Sequence, residues 1–225
     1  MINFEQYLAE RKGSIAGQQT KRKVSESELR QMVKNKDSNI ADVDVSDITD
    51  MRELFQDSDF GGSWTADISE WDTSKVENME AMFRDCPITK VELLDTSKVK
   101  DMYMMFQGCT KLSEVILPNT ENVTNMNSMF RDCTNLKVVS LPHTKKVTSM
   151  EAMFWGCTSL IKVELANIEN VTDMWGMFAG CTKLQQDFSS WDISKVNYTA
   201  NMFNGCTKME DAYKNKNNLY PNGYK

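Results

Sequence analysis

Six cysteines, sixteen methionines and a single histidine, His143, are the residues of this chain with soft-ligand or nucleophilic chemistry. A structural zinc site needs close pairs such as Cys-x-x-Cys, and the cysteines stand singly at 86, 109, 133, 157, 181 and 206. Methionine sulfur suits soft metals, but twelve of the sixteen methionines fall at just two positions beside a phenylalanine, which reads as packing. The recurrent Asp-x-Ser at Asp72, Asp95 and Asp192 could hint at calcium; the glycine-rich nonapeptide of calcium-binding β-rolls is absent, so these read as turns. His143 follows Pro142 without a nucleophile motif, and no phosphate or dinucleotide loop occurs. No catalytic, metal or cofactor-binding residues are expected, and the chain reads as a non-enzyme.

The elements that would position these residues emerge from their spacing. The dipeptides Leu54-Phe55, Met82-Phe83, Met105-Phe106, Met129-Phe130, Met153-Phe154, Met177-Phe178 and Met202-Phe203 place phenylalanines 28, 23, 24, 24, 24 and 25 residues apart. A period in this range is the signature of stacked repeats. Seven residues before each Phe stands Ile48, Val76, Val99, Val123, Val147, Val171 or Val196. Four before it stands a methionine in six repeats, with Thr199 in the seventh. Three after it stands Ser58, and then all six cysteines in order. They are expected to be reduced, buried and stacked in one row, since free Cys packs as a small hydrophobe.

Each part of the repeat has a local reading. Leu112-x-x-Val115-x-Leu117 and its equivalents at 136–141 and 160–165 have the character of a short strand, interrupted after the first two by Pro118 and Pro142. Asn78, Asp101, Asn125, Ser149 and Asp173, each directly before the first Met, are N-cap types for a short helical turn. Met and Met-Phe three and four residues apart would line one face of that turn. Gly108, Gly156, Gly180 and Gly205 suit left-handed positions near its end. One repeat buries too little apolar surface to stand alone, so the chain must form one continuous stack.

The run Val123-Thr124-Asn125-Met126 through Met129-Phe130, Cys133, Leu136, Val139 and Leu141-Pro142 resembles the BspA-like leucine-rich repeats, especially the branch in mycoplasma and gut-bacterial surface proteins and some of their phages. Val43-Asp44-Val45-Ser46-Asp47-Ile48-Thr49-Asp50-Met51-Arg52-Glu53-Leu54-Phe55 resembles the opening of that branch, and the likeness covers roughly residues 40–207. It implies a right-handed leucine-rich-repeat stack with adhesion or protein binding as its usual role. The expected fold is thus an α/β repeat, a solenoid of short strands and short helical turns behind an N-terminal capping helix.

The expected divisions are a flexible arm over 1–24, a capping helix and lead-in over 25–45, the solenoid of about seven repeats over 46–207, and a C-terminal cap and tail over 208–225. Ser25 with Glu28 three residues on reads as a helix start, with Leu29, Met32 and Val33 on one face. Met209, Ala212 and Tyr213 would finish the core. Trp64, within the enlarged turn Phe60-Gly61-Gly62-Ser63-Trp64, either fills a corner or anchors a partner; Trp155 poses the same alternative, and Trp175 occupies another repeat position.

Net charge is −6, and residues 51–207 carry 14 Lys and Arg against 21 Asp and Glu. That balance opposes nucleic-acid binding, which needs a concentrated cationic footprint. No run approaches the 18 apolar residues of a membrane span, and the first residues lack a signal peptide's basic and apolar regions, so no membrane insertion and a cytoplasmic location are expected. The remaining chemistry is that of a surface. Two rows should project outward from the strands: Lys90, Glu114, Val138, Lys162 and Gln186 in one, Glu92, Ile116, Ser140 and Glu164 in the next. They vary while their core neighbours do not, which marks the candidate face for another protein, with Ile116 and Val138 as apolar contacts. An exported adhesin and a virion or assembly component are the alternative roles.

Overall fold

The computed structural model describes residues 21–58, 67–214 and 221. Most of the expected arm, the enlarged turn with Trp64, and most of the expected tail lie outside the described residues, as do the side chains of Ala212 and Tyr213.

The repeats stack in register, and like residues form columns along the stack. The phenylalanine rings are the plainest column: consecutive centroids from Phe55 to Phe203 lie 5.3 to 5.5 Å apart. Interplanar angles of 3–6° between Phe83 and Phe178 make this one continuous offset stack. The methionines before each Phe, the cysteines after it, and Leu112, Leu136, Leu160 and Leu184 are buried with the rings in a single core.

Around this core the backbone is mostly turn and short strand. Strand β1 (Arg22–Lys23) pairs in parallel with β2 (Val43–Asp44). Between them lie helix α1 (Glu26–Lys34) and a 3-10 turn, Ile40–Asp42. Residues 22–24 therefore depart from the arm expected over 1–24: two are in a strand and Val24 is buried. Ser25 accepts a hydrogen bond from the Glu28 N–H at 3.2 Å, and Leu29, Met32 and Val33 join the core. Strands β3 (Lys90–Glu92) and β4 (Glu114–Ile116) form one parallel pair; β5 (Val138–Leu141) and β6 (Lys162–Leu165) form a second. Helix α2 (Thr207–Lys214) follows the last repeat, with Met209 buried.

The Met-x-x-Met-Phe segment is not the expected helical turn. Its N–H groups bond alternately along and across the stack. Leu54, Gln56 and Ser58 donate three residues back within the repeat, to Met51, Glu53 and Phe55. Met51, Glu53, Phe55 and Asp57 donate instead to the next repeat, at Asn78, Glu80, Met82 and Arg84, over 2.8 to 3.0 Å. This is a run of β-turns whose alternate amides form a parallel ladder, with left-handed backbone at Ala81, Met104, Ser128 and Ala152 (φ 49–55°). The supposed N-cap residues are correspondingly turn residues: Asn78, Asp101, Asn125 and Asp173 form Asx turns, each accepting from the N–H two residues on at 2.8 to 3.1 Å, as Asp50 also does. Beside Ser149 the Glu151 N–H donates instead to Asn127 Oδ1 at 3.1 Å. Gly108, Gly156, Gly180 and Gly205 do take the left-handed conformation, at φ 72–76°.

Candidate protein-binding face

The cysteine column has the geometry of packing, not of reactivity. All six thiols are free and buried. From Cys109 onward each Sγ donates to the carbonyl of the preceding repeat's phenylalanine at 2.9 to 3.1 Å, and Cys86 donates to Ser58. Burial pushes the Cys109, Cys133, Cys157 and Cys181 thiols far above their ordinary range, and Cys206 up to about 12. A thiol so protonated is a poor nucleophile and a poor metal ligand. No group of three or more His, Cys, Asp or Glu able to hold a metal ion occurs among the described residues. His143 is exposed on its turn.

A second polar column, not picked out from the sequence, lies ten residues before each Phe. Thr73, Thr96, Thr120 and Thr144 are fully buried, and each hydroxyl donates to a backbone carbonyl of the next repeat. Thr120 reaches the His143 carbonyl at 2.6 Å. The signal was present as four threonines at one repeat position, with Val45 before them and Ile168 and Ile193 after them.

On the strand side, Lys90, Glu114, Val138, Ser140, Lys162 and Glu164 are exposed, and Ile116 is half-buried. Lys90 pairs with Glu114 at 3.1 Å across β3 and β4, and Lys162 with Glu164 at 2.5 Å along β6. Lys162, and then Ser140, hold the Glu164 carboxyl below its usual range by hydrogen bonding. Glu92 does not join its row. It is only 6% exposed, because the in-out alternation lapses in β3 and Val91, Glu92 and Leu93 are all buried. Lys90, two residues earlier, lies 3.8 Å from its carboxylate. Gln186 also departs from the expected row: its side-chain amide turns onto β6, accepting from the Val163 N–H and donating to the Val163 carbonyl, both at 2.8 Å. One side chain there stands in for a missing strand.

Between the two strand pairs the ladder is interrupted. Leu93 donates to Ile116 of the next repeat at 3.1 Å, but Leu117, its equivalent, makes no such bond to Ser140 among the described residues. Ile161 donates to Lys137 of the preceding repeat at 2.9 Å, whereas Lys137 makes no corresponding bond to Ser113. At this break Val115 is partly exposed although its equivalents Val91, Val139 and Val163 are buried. A groove of about 350 Å³ opens here, lined by Val115, Ile116, Leu117, Pro118, Ser140 and Pro142. Beside it Val138 is 46% exposed. The break had no signal in the sequence, because both flanking repeats keep the strand pattern.

Among the described residues no helix is long and apolar enough to cross a membrane. No curated protein matches the chain. Among solved structures, it is similar to a leucine rich cell surface protein from Faecalibacterium prausnitzii A2-165, at 25% identity over 60% of this chain and a TM-score of 0.47. That match spans 35% of the other chain's length. It is also similar to a leucine rich repeat protein from T. pallidum, at 20% identity over 56% of this chain and 79% of that one, with a TM-score of 0.28. The family described as "Mycoplasma protein of unknown function, DUF285" matches residues 26–139, 87–162 and 134–219, nearly the whole described stack, and the chain belongs to that family.

Proposed function

We propose that this chain is a non-catalytic recognition scaffold of the BspA-like leucine-rich-repeat kind that binds another protein through its strand face. The observation that carries this reading is the layout of that face. An apolar groove, with Ile116 in its wall and Val138 at its side, lies between the Lys90–Glu114 and Lys162–Glu164 ion pairs. An apolar centre within a charged rim is the usual anatomy of a protein interface. Ser140, in the groove wall, supplies a hydroxyl. The six free, buried thiols suit a reducing compartment, and we propose an intracellular place for the protein on that ground; the family's mycoplasma description supports a bacterial source.

The test compares the natural chain with a variant carrying serine at Lys90, Glu114, Ile116, Val138 and Lys162. These side chains are exposed or half-buried, so the variant should fold, as circular dichroism would verify. Cross-linked capture from source-cell lysate should yield a protein held by the natural chain and lost by the variant. Equal capture by both would refute this face as the binding site.

A further inference from the structure

Trp155 follows its repeat's phenylalanine, whereas Trp175 precedes its own by three residues, so nothing in their spacing announces a pair. The stack brings them together. Their ring centroids lie 5.4 Å apart, with planes 25° from parallel. The guanidinium carbon of Arg131, one repeat earlier, lies 5.3 Å from the centre of the Trp155 ring. Arg131, Trp155 and Trp175 thus form a row that advances one repeat per member, on the turn column and away from the strand face.

Gly176 seats this row. The backbone at its repeat position is left-handed throughout, and Glu53, Ala81, Met104, Ser128, Ala152 and Asn201 hold it with side chains in place (φ 49–60°). Glycine is therefore not needed there for φ. Only the sixth repeat has it, and a Cβ at that point would lie 2.7 Å from Cε3 of Trp155. The missing side chain makes room for the indole.

The row stops at Trp175. In the next repeat the equivalent positions carry Ala200 and Asn204, both exposed, and neither supplies a ring. Trp155 is the one aromatic partner of Trp175 among the described residues. The local charge is one-sided. Arg131 is already paired with Asp132, at 3.5 Å. Asp173, two residues before Trp175 and in the same repeat, enters no ion pair among the described residues, whereas Glu151 lies one repeat earlier, on the Trp155 side.

We propose that the outer face of the half-buried Trp175 docks an arginine side chain of a partner protein, continuing the stack that Arg131 begins, with Asp173 of the same repeat as its counter-charge. Tryptophan is the strongest aromatic partner for a cation. A planar, weakly hydrated guanidinium stacks on an indole where a lysine ammonium cannot. Tryptophan and arginine are also the residues that dominate binding energy at protein interfaces.

The test follows the five indole N–H resonances of the full chain by NMR while acetyl-Gly-Arg-Gly-Arg-Gly-amide is added. The signals of Trp155 and Trp175, assigned with Trp155→Phe and Trp175→Phe, should shift saturably while the other three stay. The lysine analogue should bind more weakly and the glutamate analogue not at all. Asp173→Asn should weaken the arginine peptide several-fold while keeping the turn, since Asn125 makes the same Asx turn at the equivalent position. Gly176→Ala should move the Trp155 signal in the free protein and weaken the peptide as well; Ala81 and Ala152 show that alanine is tolerated at this backbone position. The five-serine strand-face variant should bind the peptide unchanged, which keeps the two surfaces separable. An unmoved Trp175 signal, indifference to Asp173→Asn, or equal shifts with maltose in place of the peptide would each overturn the proposal.

Discussion

Phe130 stands at the middle of the ring column, fully buried, 5.4 Å from Phe106 on one side and 5.5 Å from Phe154 on the other. Replacing it with alanine removes a buried side chain from a site whose walls are held by two neighbouring repeats, so the cavity cannot collapse without breaking their register. The expected cost is about 3–5 kcal/mol. Phe130→Leu keeps most of the volume but loses both ring pairs, each worth about 0.5–1.5 kcal/mol, for a cost of about 1–3 kcal/mol. In a chain of this size 1 kcal/mol moves Tm by about 2–4 °C, so the alanine variant should melt about 6–20 °C lower. The leucine variant should fall between it and the natural chain. The assay is thermal unfolding by circular dichroism, with Val138→Ala as a surface control that stays within about 0.5 kcal/mol. A drop below about 2 °C for Phe130→Ala, under about 1 kcal/mol, would mean the ring column does not hold the stack together.

The cysteine column should be silent to a thiol reagent such as Ellman's reagent at pH 8 until the protein unfolds, since Cys206, the least shifted of those above, sits at about 12; rapid labelling of the native chain would contradict their burial. Thr120→Val should cost about 1–3 kcal/mol in urea unfolding, because it removes the donor to the His143 carbonyl, while Thr120→Ser should be milder; a valine variant as stable as the natural chain would refute a structural role for that column. Asp47, exposed, is held down at about 2 by hydrogen bonds from Lys23 and then Lys75. Its folded pKa lies below the ordinary 3.8, so its contribution is present above pH about 4 and fades as pH falls towards 2. NMR titration of its carboxyl should find the low midpoint, and Asp47→Asn should remove that pH dependence of the β1–β2 end; a midpoint near 3.8 would sink the account.

What the sequence made legible is whatever repeats. The phenylalanine, methionine, cysteine and leucine columns could be read because burial imposes one residue type at one position in turn after turn. The α1 start at Ser25 could be read because its cap chemistry is local. Glu92, Gln186 and the gap between β4 and β5 could not. Each depends on how one particular repeat meets its neighbour, and a repeat period averages such differences away. Trp155 and Trp175 show the same limit: their positions differ within the repeat, and only the offset between successive turns brings the rings together.

The helical reading of Met-x-x-Met-Phe failed for a more instructive reason. Apolar residues three and four apart line one side of an α-helix, but a run of β-turns can place them inward just as well. Which form wins depends on where the backbone N–H groups find acceptors. A helix of six or seven residues would leave its first four N–H groups without helical partners, and it would present no alternate amides to the repeats on either side. The turn ladder directs Met51, Glu53, Phe55 and Asp57 to neighbouring carbonyls and repeats that arrangement along the stack. It requires left-handed backbone at non-glycine residues such as Met104 and Ala152, a strain of about 1–3 kcal/mol at each. That strain persists only where neighbouring repeats hold the conformation in place, so the segment should lose it when excised and regain it only in the stack.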